Sequence, residues 1–365
     1  TYSMEYNHFT SFVYSFLSWT SLYKDKDGEV IKDADNNAAK YINETLNLIG
    51  IKENDLKGKK VFNIGTGREA RFFASKGSEV FHVDLAKDAV NNFKKWAKEN
   101  SHKVTSINDN INNVDIGENQ FDIVFLSGIY QHIDKPANAL VKFVNSIKPD
   151  GVIFLGFYRS GEYKYFVIDA IRYLLEFDMM KKMRDINAII NTFSETKHYQ
   201  IARMADLFIP RKFNFHPNDI IRDIKTCGGE ILNFDDDFRD YNHENFDYFS
   251  IGGDRIYITK KDDTIIKLNE VENNLCTNEG IDQLFGIDYK DELIKENIEM
   301  LKDIKTYYKT GFIEDYHIIS LCISLYQTTR PYIQEYSYYY QEAKKRGRHK
   351  TINKILSNFI KNFIK

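Results

Sequence analysis

The stretch from Val61 to Asp84 constrains the fold of this chain more than any other part of the sequence. It reads as a buried strand, a short turn containing Gly65 and Gly67, a helix, and a second strand that ends on an acidic residue. Glycine has no Cβ atom, so such a turn can bend sharply and let a ligand approach the backbone. The first amides of the following helix favour a bound anion. The pattern predicts a nucleotide-binding crevice in which Asp84 accepts hydrogen bonds from ribose hydroxyls.

Strand and helix signals alternate beyond this stretch. Short apolar runs separated by helical patterns predict a doubly wound parallel α/β sheet, and a turn at Lys148–Gly151 precedes its fifth strand. Two further apolar runs, joined by an acidic connection, predict an antiparallel pair of strands that closes one edge of the sheet. The predicted strands are 61–64, 79–83, 104–107, 121–126, 152–157, 230–234 and 254–259.

The sequence outside this core has mainly helical character. We expect an N-terminal helical cap over residues 1–50 and a core domain over 51–261. Within the core, residues 161–210 read as a helical insertion that forms a lid over the substrate. Residues 262–365 predict an all-helical C-terminal domain.

Composition excludes several classes of function. A formal net charge of −3 over 365 residues gives no general attraction to nucleic acid. The three cysteines lack metal-ligand spacing, so we expect neither a metal site nor a disulfide framework. No apolar run approaches the length of a membrane span. These features predict a cytoplasmic protein.

The loop after the fourth predicted strand narrows the choice of nucleotide. Gly65–Ala70 fits a GxGxxA pattern, which alone allows NAD or S-adenosylmethionine. The fourth strand, however, opens with Phe121-Asp122 and is followed by Ser127–Pro136. Over about residues 40–260 the chain resembles the class I S-adenosylmethionine-dependent methyltransferases of the small-molecule type. The resemblance implies a Rossmann-like fold and S-adenosylmethionine as cofactor.

The resemblance also assigns roles to individual residues. Gly65 and Gly67 would abut the methionine part of the cofactor, and Asp84 would hold both ribose hydroxyls. Asp109 or Asn110 would face the adenine edge. In addition, Ser127 would line the floor of the site.

Two positions depart from the pattern of the family. Asn63 stands where the family usually places an acidic residue. Its amide oxygen could still accept from the cofactor's ammonium group, but without a negative charge. Arg68 adds a cation close to the expected position of the methionyl carboxylate.

The acceptor side offers three candidate residues. His132 is the first candidate for a base, because an imidazole titrates near neutral pH; its alternative role is packing or capping. Tyr130 is expected to shape the pocket. His216 precedes Pro217, so helix capping is the alternative to a role in catalysis.

These residues predict methyl transfer to an O or N atom of a small metabolite or glycan-type acceptor. One alternative is an NAD-dependent oxidoreductase, although no hydride-site His/Asp or Tyr/Lys pair is evident. Another is a non-catalytic binding or scaffold protein with this fold. Residues 341–365 contain eight Lys and Arg against Glu342. They predict a basic amphipathic helix that packs on the helical domain or contacts a membrane surface or an acidic partner.

Overall fold

A computed structural model describes three long segments of the protein, residues 32–160, 212–234 and 254–281. The first 31 residues, the basic segment 341–365 and most of the predicted lid and C-terminal domain lie outside the described residues. The other described positions are 168–170, 172–173, 209, 298–299, 301–303 and 305–306.

The described elements alternate as the sequence predicts. The helices are α1 Lys32–Asn47, α2 Arg68–Ser75, α3 Lys87–Glu99, α4 Pro136–Ser146, α5 Pro217–Thr226 and the short α6 Leu268–Val271. The strands are β1 Lys60–Ile64, β2 Glu79–Asp84, β3 Val104–Asn108, β4 Phe121–Leu126, β5 Ile147–Phe157, β6 Glu230–Phe234 and β7 Asp254–Thr259.

The strands form one seven-stranded sheet in the order β3-β2-β1-β4-β5-β7-β6. Neighbours among β1 to β5 run parallel, whereas β7 runs antiparallel to both β5 and β6. The α/β class, the parallel core and the antiparallel edge pair are therefore confirmed. The order reverses between β1 and β4, and ligands of open α/β sheets bind at the carboxyl ends of strands near such a point.

The fifth strand differs from the prediction. Phe121 pairs with Ile147, and the next pairing joins Ile123 to Val152, so the ladder breaks between them. The predicted turn Lys148–Gly151 lies within the bounds of β5 and coincides with this break in the ladder. Asp150, in the same segment, has a φ of 59°. Pro149 has no amide hydrogen to donate to a ladder, which explains the interruption.

Both faces of the sheet are covered by apolar side chains. Along β1, Phe62 packs on the side of α4 and α5, and Val61 packs on the side of α1 and α2. Phe125 and Phe154 stack on the latter side with ring centroids 4.6 Å apart. Burial on both faces is what the continuous apolar run of β4 predicts.

The chain beyond β7 contacts helix α4. Asn145 exchanges two hydrogen bonds with the backbone of Ile266, at 2.8 and 3.0 Å. The side chain of Asn278 accepts from the amides of Ala137 and Asn138 at 3.0 and 3.2 Å, and so caps the start of α4. One compact unit extends to Gly280. We therefore propose that the domain boundary, expected at residue 261, follows Gly280.

A second compact unit contains the isolated positions from 168 to 173 and from 298 to 306. In it, the Nζ atom of Lys305 lies 3.9 Å from the centroid of the Tyr173 ring. None of the helices in the described part of the chain combines the length and apolarity that crossing a bilayer requires.

Candidate cofactor site

The glycine turn joins β1 to α2 and requires its glycines. Gly65 has a φ of 135° and Gly67 a φ of 86°, which L side chains rarely adopt. A Cβ atom on Gly67 would lie 3.1 Å from Cβ of Phe93 on α3. Any side chain at this position would thus combine backbone strain with a close contact. The turn leaves the first amides of α2 at the carboxyl edge of the sheet.

A cleft lies at this edge. It brings together four of the predicted site residues, which are far apart in sequence. Its lining consists of Ile64, Val83, Asp84, Leu85, Asp109, Asn110, Ile111, Ile129, His132, Ile133 and Asp134.

Asp84 ends β2 in the cleft and is partly buried. Its Oδ1 atom accepts a hydrogen bond from the amide of Ala86 at 2.6 Å. Burial raises the pKa of Asp84 to about 7, and the hydrogen bond from Ala86 opposes that effect. A ligand that donates hydrogen bonds to this carboxyl would favour its ionised form.

The loop after β3 presents Asp109 and Asn110 in an ordered arrangement. Oδ1 of Asp109 accepts from the amide of Asn110 at 2.6 Å and from Nδ2 of Asn113 at 3.1 Å. Oδ1 of Asn110 accepts from the amide of Asn112 at 2.9 Å. Such turns made by Asp and Asn side chains hold a loop without regular secondary structure.

Lys142, which the sequence did not suggest, supports this loop from α4. Its Nζ atom donates to the backbone carbonyls of Ile111, Asn112 and Val114 at 3.2, 2.5 and 3.3 Å. Nδ2 of Asn112 also donates to the carbonyl of Asp134, another residue of the cleft lining. The loop is thereby tied both to α4 and to the segment after β4.

Asn63 is completely buried in the middle of the sheet. Its Nδ2 atom donates to the carbonyl of Phe125 at 2.9 Å. Its Oδ1 atom is buried and has no hydrogen-bond partner among the described residues. Leaving such an acceptor unsatisfied costs free energy, so this atom is suited to a donor supplied by a ligand.

Ser127 and Arg68 belong to a second polar group rather than to the lining of the cleft. Oγ of Ser127 lies 3.2 Å from the hydroxyl of Tyr41 on α1. Arg255, on β7, places its guanidinium 5.3 Å from the centroid of the Tyr41 ring. Burial raises the pKa of Tyr41, while the hydrogen bond with Ser127 and the charge of Arg255 lower it. In the sequence, Tyr41 is distinguished only by its place on an amphipathic helix.

Arg68 lies at the start of α2 beside this group. Its Nε and Nη2 atoms lie 3.1 and 2.5 Å from Oε1 of the buried Glu69. The cation predicted near the methionyl carboxylate is therefore partly neutralised by its neighbour in sequence.

The three candidate catalytic residues occupy different environments. His132 lines the cleft and makes an edge-on contact with Tyr158, with ring centroids 5.8 Å apart. Tyr130 is fully buried in the core, and its hydroxyl lies 3.2 Å from Oγ1 of Thr277. Burial raises the pKa of Tyr130 well above its ordinary value. Tyr130 is thus a core residue and does not line the cleft.

His216 caps α5. Its Nδ1 atom accepts from the amide of Asn218 at 3.2 Å, and its side chain is buried. Helix capping is the predicted alternative to a role in catalysis, and the contact satisfies an amide that has no partner within the helix. No group of three potential metal ligands occurs in the described part of the chain.

Comparison with known proteins agrees with this geometry. A family model described as "Methyltransferase domain" matches residues 62–155, which contain the glycine turn and every residue of the cleft lining given above. Residues 62–155 are thus similar to a methyltransferase domain. An NAD-dependent oxidoreductase is not favoured.

The curated proteins that are similar to this chain are named as methyltransferases. The chain aligns with a ubiquinone biosynthesis O-methyltransferase of Haemophilus ducreyi at 28% identity over 139 residues, or 36% of this chain and 59% of the relative. The protein of the same name from Neisseria meningitidis is 30% identical over 131 residues, or 34% of this chain and 54% of the relative. The chain thus spans little more than half of the length of these relatives.

Solved structures that are similar to this chain include that of magnesium protoporphyrin IX methyltransferase from Synechocystis PCC 6803. It is 12% identical, with a TM-score of 0.42, and the alignment covers 71% of this chain and 100% of that one. The 1,6-didemethyltoxoflavin-N1-methyltransferase of Burkholderia thailandensis is 13% identical, also with a TM-score of 0.42, over 72% of this chain and 90% of that one.

Proposed function

We propose that this chain transfers a methyl group from S-adenosylmethionine to an oxygen or nitrogen atom of a small-molecule acceptor. The observation that carries the proposal is the convergence of Asp84, Asp109 and Asn110 on one cleft within the segment that matches the methyltransferase family. The names of the curated relatives favour oxygen as the acceptor atom.

The residues present suit this cofactor. The orphaned Oδ1 atom of Asn63 can accept from an ammonium group. Asp84 has one carboxyl oxygen beyond the bond to Ala86 and can accept from ribose hydroxyls. The positive φ angles of Gly65 and Gly67 hold the turn that leads into the first amides of α2. Asp109 and Asn110 would face the adenine edge.

S-adenosylmethionine supplies an electrophilic methyl group on a sulfonium, which an acceptor must approach in line. Among the residues of the cleft lining, His132 is the imidazole that could take the proton released by a hydroxyl acceptor. Its contact with Tyr158 would orient the ring. Ser127 and Tyr41 would form a polar wall beside the glycine turn.

The acceptor itself is proposed only as a class. The described residues provide no feature that selects a glycan, and a small aromatic or heterocyclic metabolite fits the names of the relatives better. A membrane or acidic partner for residues 341–365 remains a sequence-based proposal, because these residues lie outside the described part of the chain.

Transfer of label tests the proposal. The protein is incubated with S-adenosylmethionine labelled on the methyl group and with a small-molecule extract of the source cells. We expect label in a small molecule with wild type and strongly reduced label with Asp84→Ala. Binding of the cofactor without a labelled product would favour the alternative of a non-catalytic binding protein.

A further inference from the structure

His82 is a buried titratable residue next to the glycine turn and has no part in the function proposed above. It lies in β2, its side chain is fully buried, and both ring nitrogens have close polar neighbours. Nε2 lies 2.6 Å from the carbonyl oxygen of Gly65, and Nδ1 lies 2.8 Å from Oγ of Ser106 on β3. The imidazole therefore links the turn after β1 to the third strand.

These partners define the tautomer of the ring. A carbonyl oxygen only accepts, so Nε2 must carry the hydrogen that bonds to Gly65. In a neutral ring Nδ1 is then an acceptor, and the hydroxyl of Ser106 donates to it. Burial lowers the pKa of His82 to about 4, which keeps the ring neutral under ordinary conditions.

The same residue is connected to both glycines of the turn. The amide of Gly65 donates to the carbonyl of Val83 at 3.4 Å, so β2 holds Gly65 through its backbone as well as through the His82 ring. The His82 ring also packs against Phe93 with centroids 4.9 Å apart. Phe93 is the side chain that closes the space beside Gly67.

From this geometry we propose that His82 is a positioning residue for the cofactor site. It orients the carbonyl of Gly65, and together with Phe93 it holds the glycine turn in the conformation that receives the methionine part of the cofactor. The inference rests on the proposed function, because the ligand of the turn is S-adenosylmethionine. The proposal differs from a purely structural role because it predicts that Nε2, which bonds to Gly65, contributes more to cofactor binding than Nδ1.

Two amide substitutions separate the ring nitrogens. Gln places an amide nitrogen near the position of Nε2, so His82→Gln can still donate to Gly65. Asn reaches only as far as Nδ1, so His82→Asn keeps the neighbour Ser106 and loses the bond to the turn. A third variant, Ser106→Ala, leaves the ring but removes the hydroxyl that donates to Nδ1.

Ser78→Ala is the matched control for Ser106→Ala. Its hydroxyl is buried, like that of Ser106, and donates to the carbonyl of Leu56 at 2.8 Å. It makes no contact with the glycine turn. A loss common to both serine variants would therefore reflect the general cost of removing a buried hydrogen bond.

Three measurements are made on each full-length variant. They are the Kd of S-adenosylhomocysteine by calorimetry, the melting temperature, and hydrogen exchange of the amides at 65–68 without ligand. We expect His82→Asn to weaken binding about tenfold and to speed exchange at the turn. His82→Gln should stay within about threefold of wild type, and Ser106→Ala should weaken binding by about threefold with the Ser78→Ala control unchanged.

Several results would overturn the proposal. If His82→Gln and His82→Asn weaken binding equally, and in proportion to the fall in their melting temperatures, His82 has a structural role alone. Unchanged exchange and affinity in His82→Asn would also reject it. If His82→Asn does not fold, equal behaviour of the two serine variants decides against it. Failure of the wild type to bind S-adenosylhomocysteine would instead contradict the proposed function, while the exchange data would still test the link to the turn.

Discussion

The ammonium group of Lys142 lies 2.5 Å from the backbone carbonyl oxygen of Asn112, thirty residues earlier in the chain. The same ammonium group donates to the carbonyls of Ile111 and Val114. The three hydrogen bonds hold the loop in which Asp109 and Asn110 lie. The adenine side of the proposed site therefore depends on one lysine of α4.

We expect Lys142→Met to loosen this loop. Met retains most of the apolar stem and removes the charged donor, so three carbonyls each lose one hydrogen bond. Chemical denaturation should show a loss of about 2 kcal/mol in the free energy of unfolding, typical of hydrogen bonds to a charged group. Calorimetry should show about tenfold weaker binding of S-adenosylhomocysteine. Lys94→Met, at an exposed position of α3, should change neither quantity.

Asp84 predicts a pH dependence of cofactor binding. Its pKa in the free protein is about 7, and ribose hydroxyls would bind the ionised form. Affinity should therefore fall about tenfold between pH 8 and pH 6 as the carboxyl takes up a proton. Asp84→Asn should remove this slope, which separates it from any contribution of His132 in the same cleft. A slope that persists in Asp84→Asn would assign the titration to another group.

The same carboxyl affects stability in the opposite sense. Its pKa in the folded protein is raised from 3.8 to about 7, so the folded state holds the proton more tightly than the unfolded chain. The free energy of unfolding contributed by this group therefore falls as the pH rises from about 4 to about 7. Asp84→Asn should be less sensitive to pH across this window when unfolding curves are compared without ligand.

Asn63 should show opposite trends in stability and binding. Asn63→Leu removes both the orphaned oxygen and the bond to Phe125, whereas Asn63→Asp buries a carboxylate near the Phe125 carbonyl. We expect Asp to lower the free energy of unfolding by roughly 2–4 kcal/mol relative to Leu. For binding of S-adenosylhomocysteine we expect the reverse, with Asp tightest and Leu weakest. The same order in both measurements would argue against a ligand role for Oδ1.

Replacement of Asp223 should lower the stability of the fold without changing cofactor binding. It is fully buried, and its carboxylate accepts from the amides of Cys276 and Thr277 and from the Thr277 hydroxyl, at 2.7–3.2 Å. Asp223→Ala should lower the free energy of unfolding by about 3 kcal/mol because several buried donors lose their acceptor. Affinity for S-adenosylhomocysteine should stay within about twofold of wild type. A large loss of affinity would connect residues 276–277 to the site.

Much of the fold follows from local sequence patterns. The glycine turn, the apolar run of β4 and the pair of β6 and β7 have strong periodic or turn signals, and all lie where predicted. The irregularity in β5 was missed because Lys148–Gly151 has the composition of an ordinary turn. Whether such a segment pairs with β4 depends on strands distant in sequence.

The site was predictable only in part. Asp84 ends a strand, whereas Asp109, Asn110 and His132 lie in segments that follow strands. The carboxyl ends of parallel strands meet at one edge. Lys142, His82 and Tyr41 were missed because their roles depend on contacts between distant elements. A lysine on a helix or a histidine in a strand looks the same in the sequence whether it binds solvent or a buried carbonyl.

Calorimetric titration of S-adenosylhomocysteine into wild type, Asp84→Ala and Asp88→Ala tests the cofactor assignment on which this account depends. Asp88 is an exposed acidic residue four positions further on, in α3, and serves as the control. We expect wild type and Asp88→Ala to bind alike and Asp84→Ala to bind at least about tenfold more weakly, because two ribose hydroxyls lose their acceptor. Absence of binding to all three proteins, or equal binding to all three, would contradict the account.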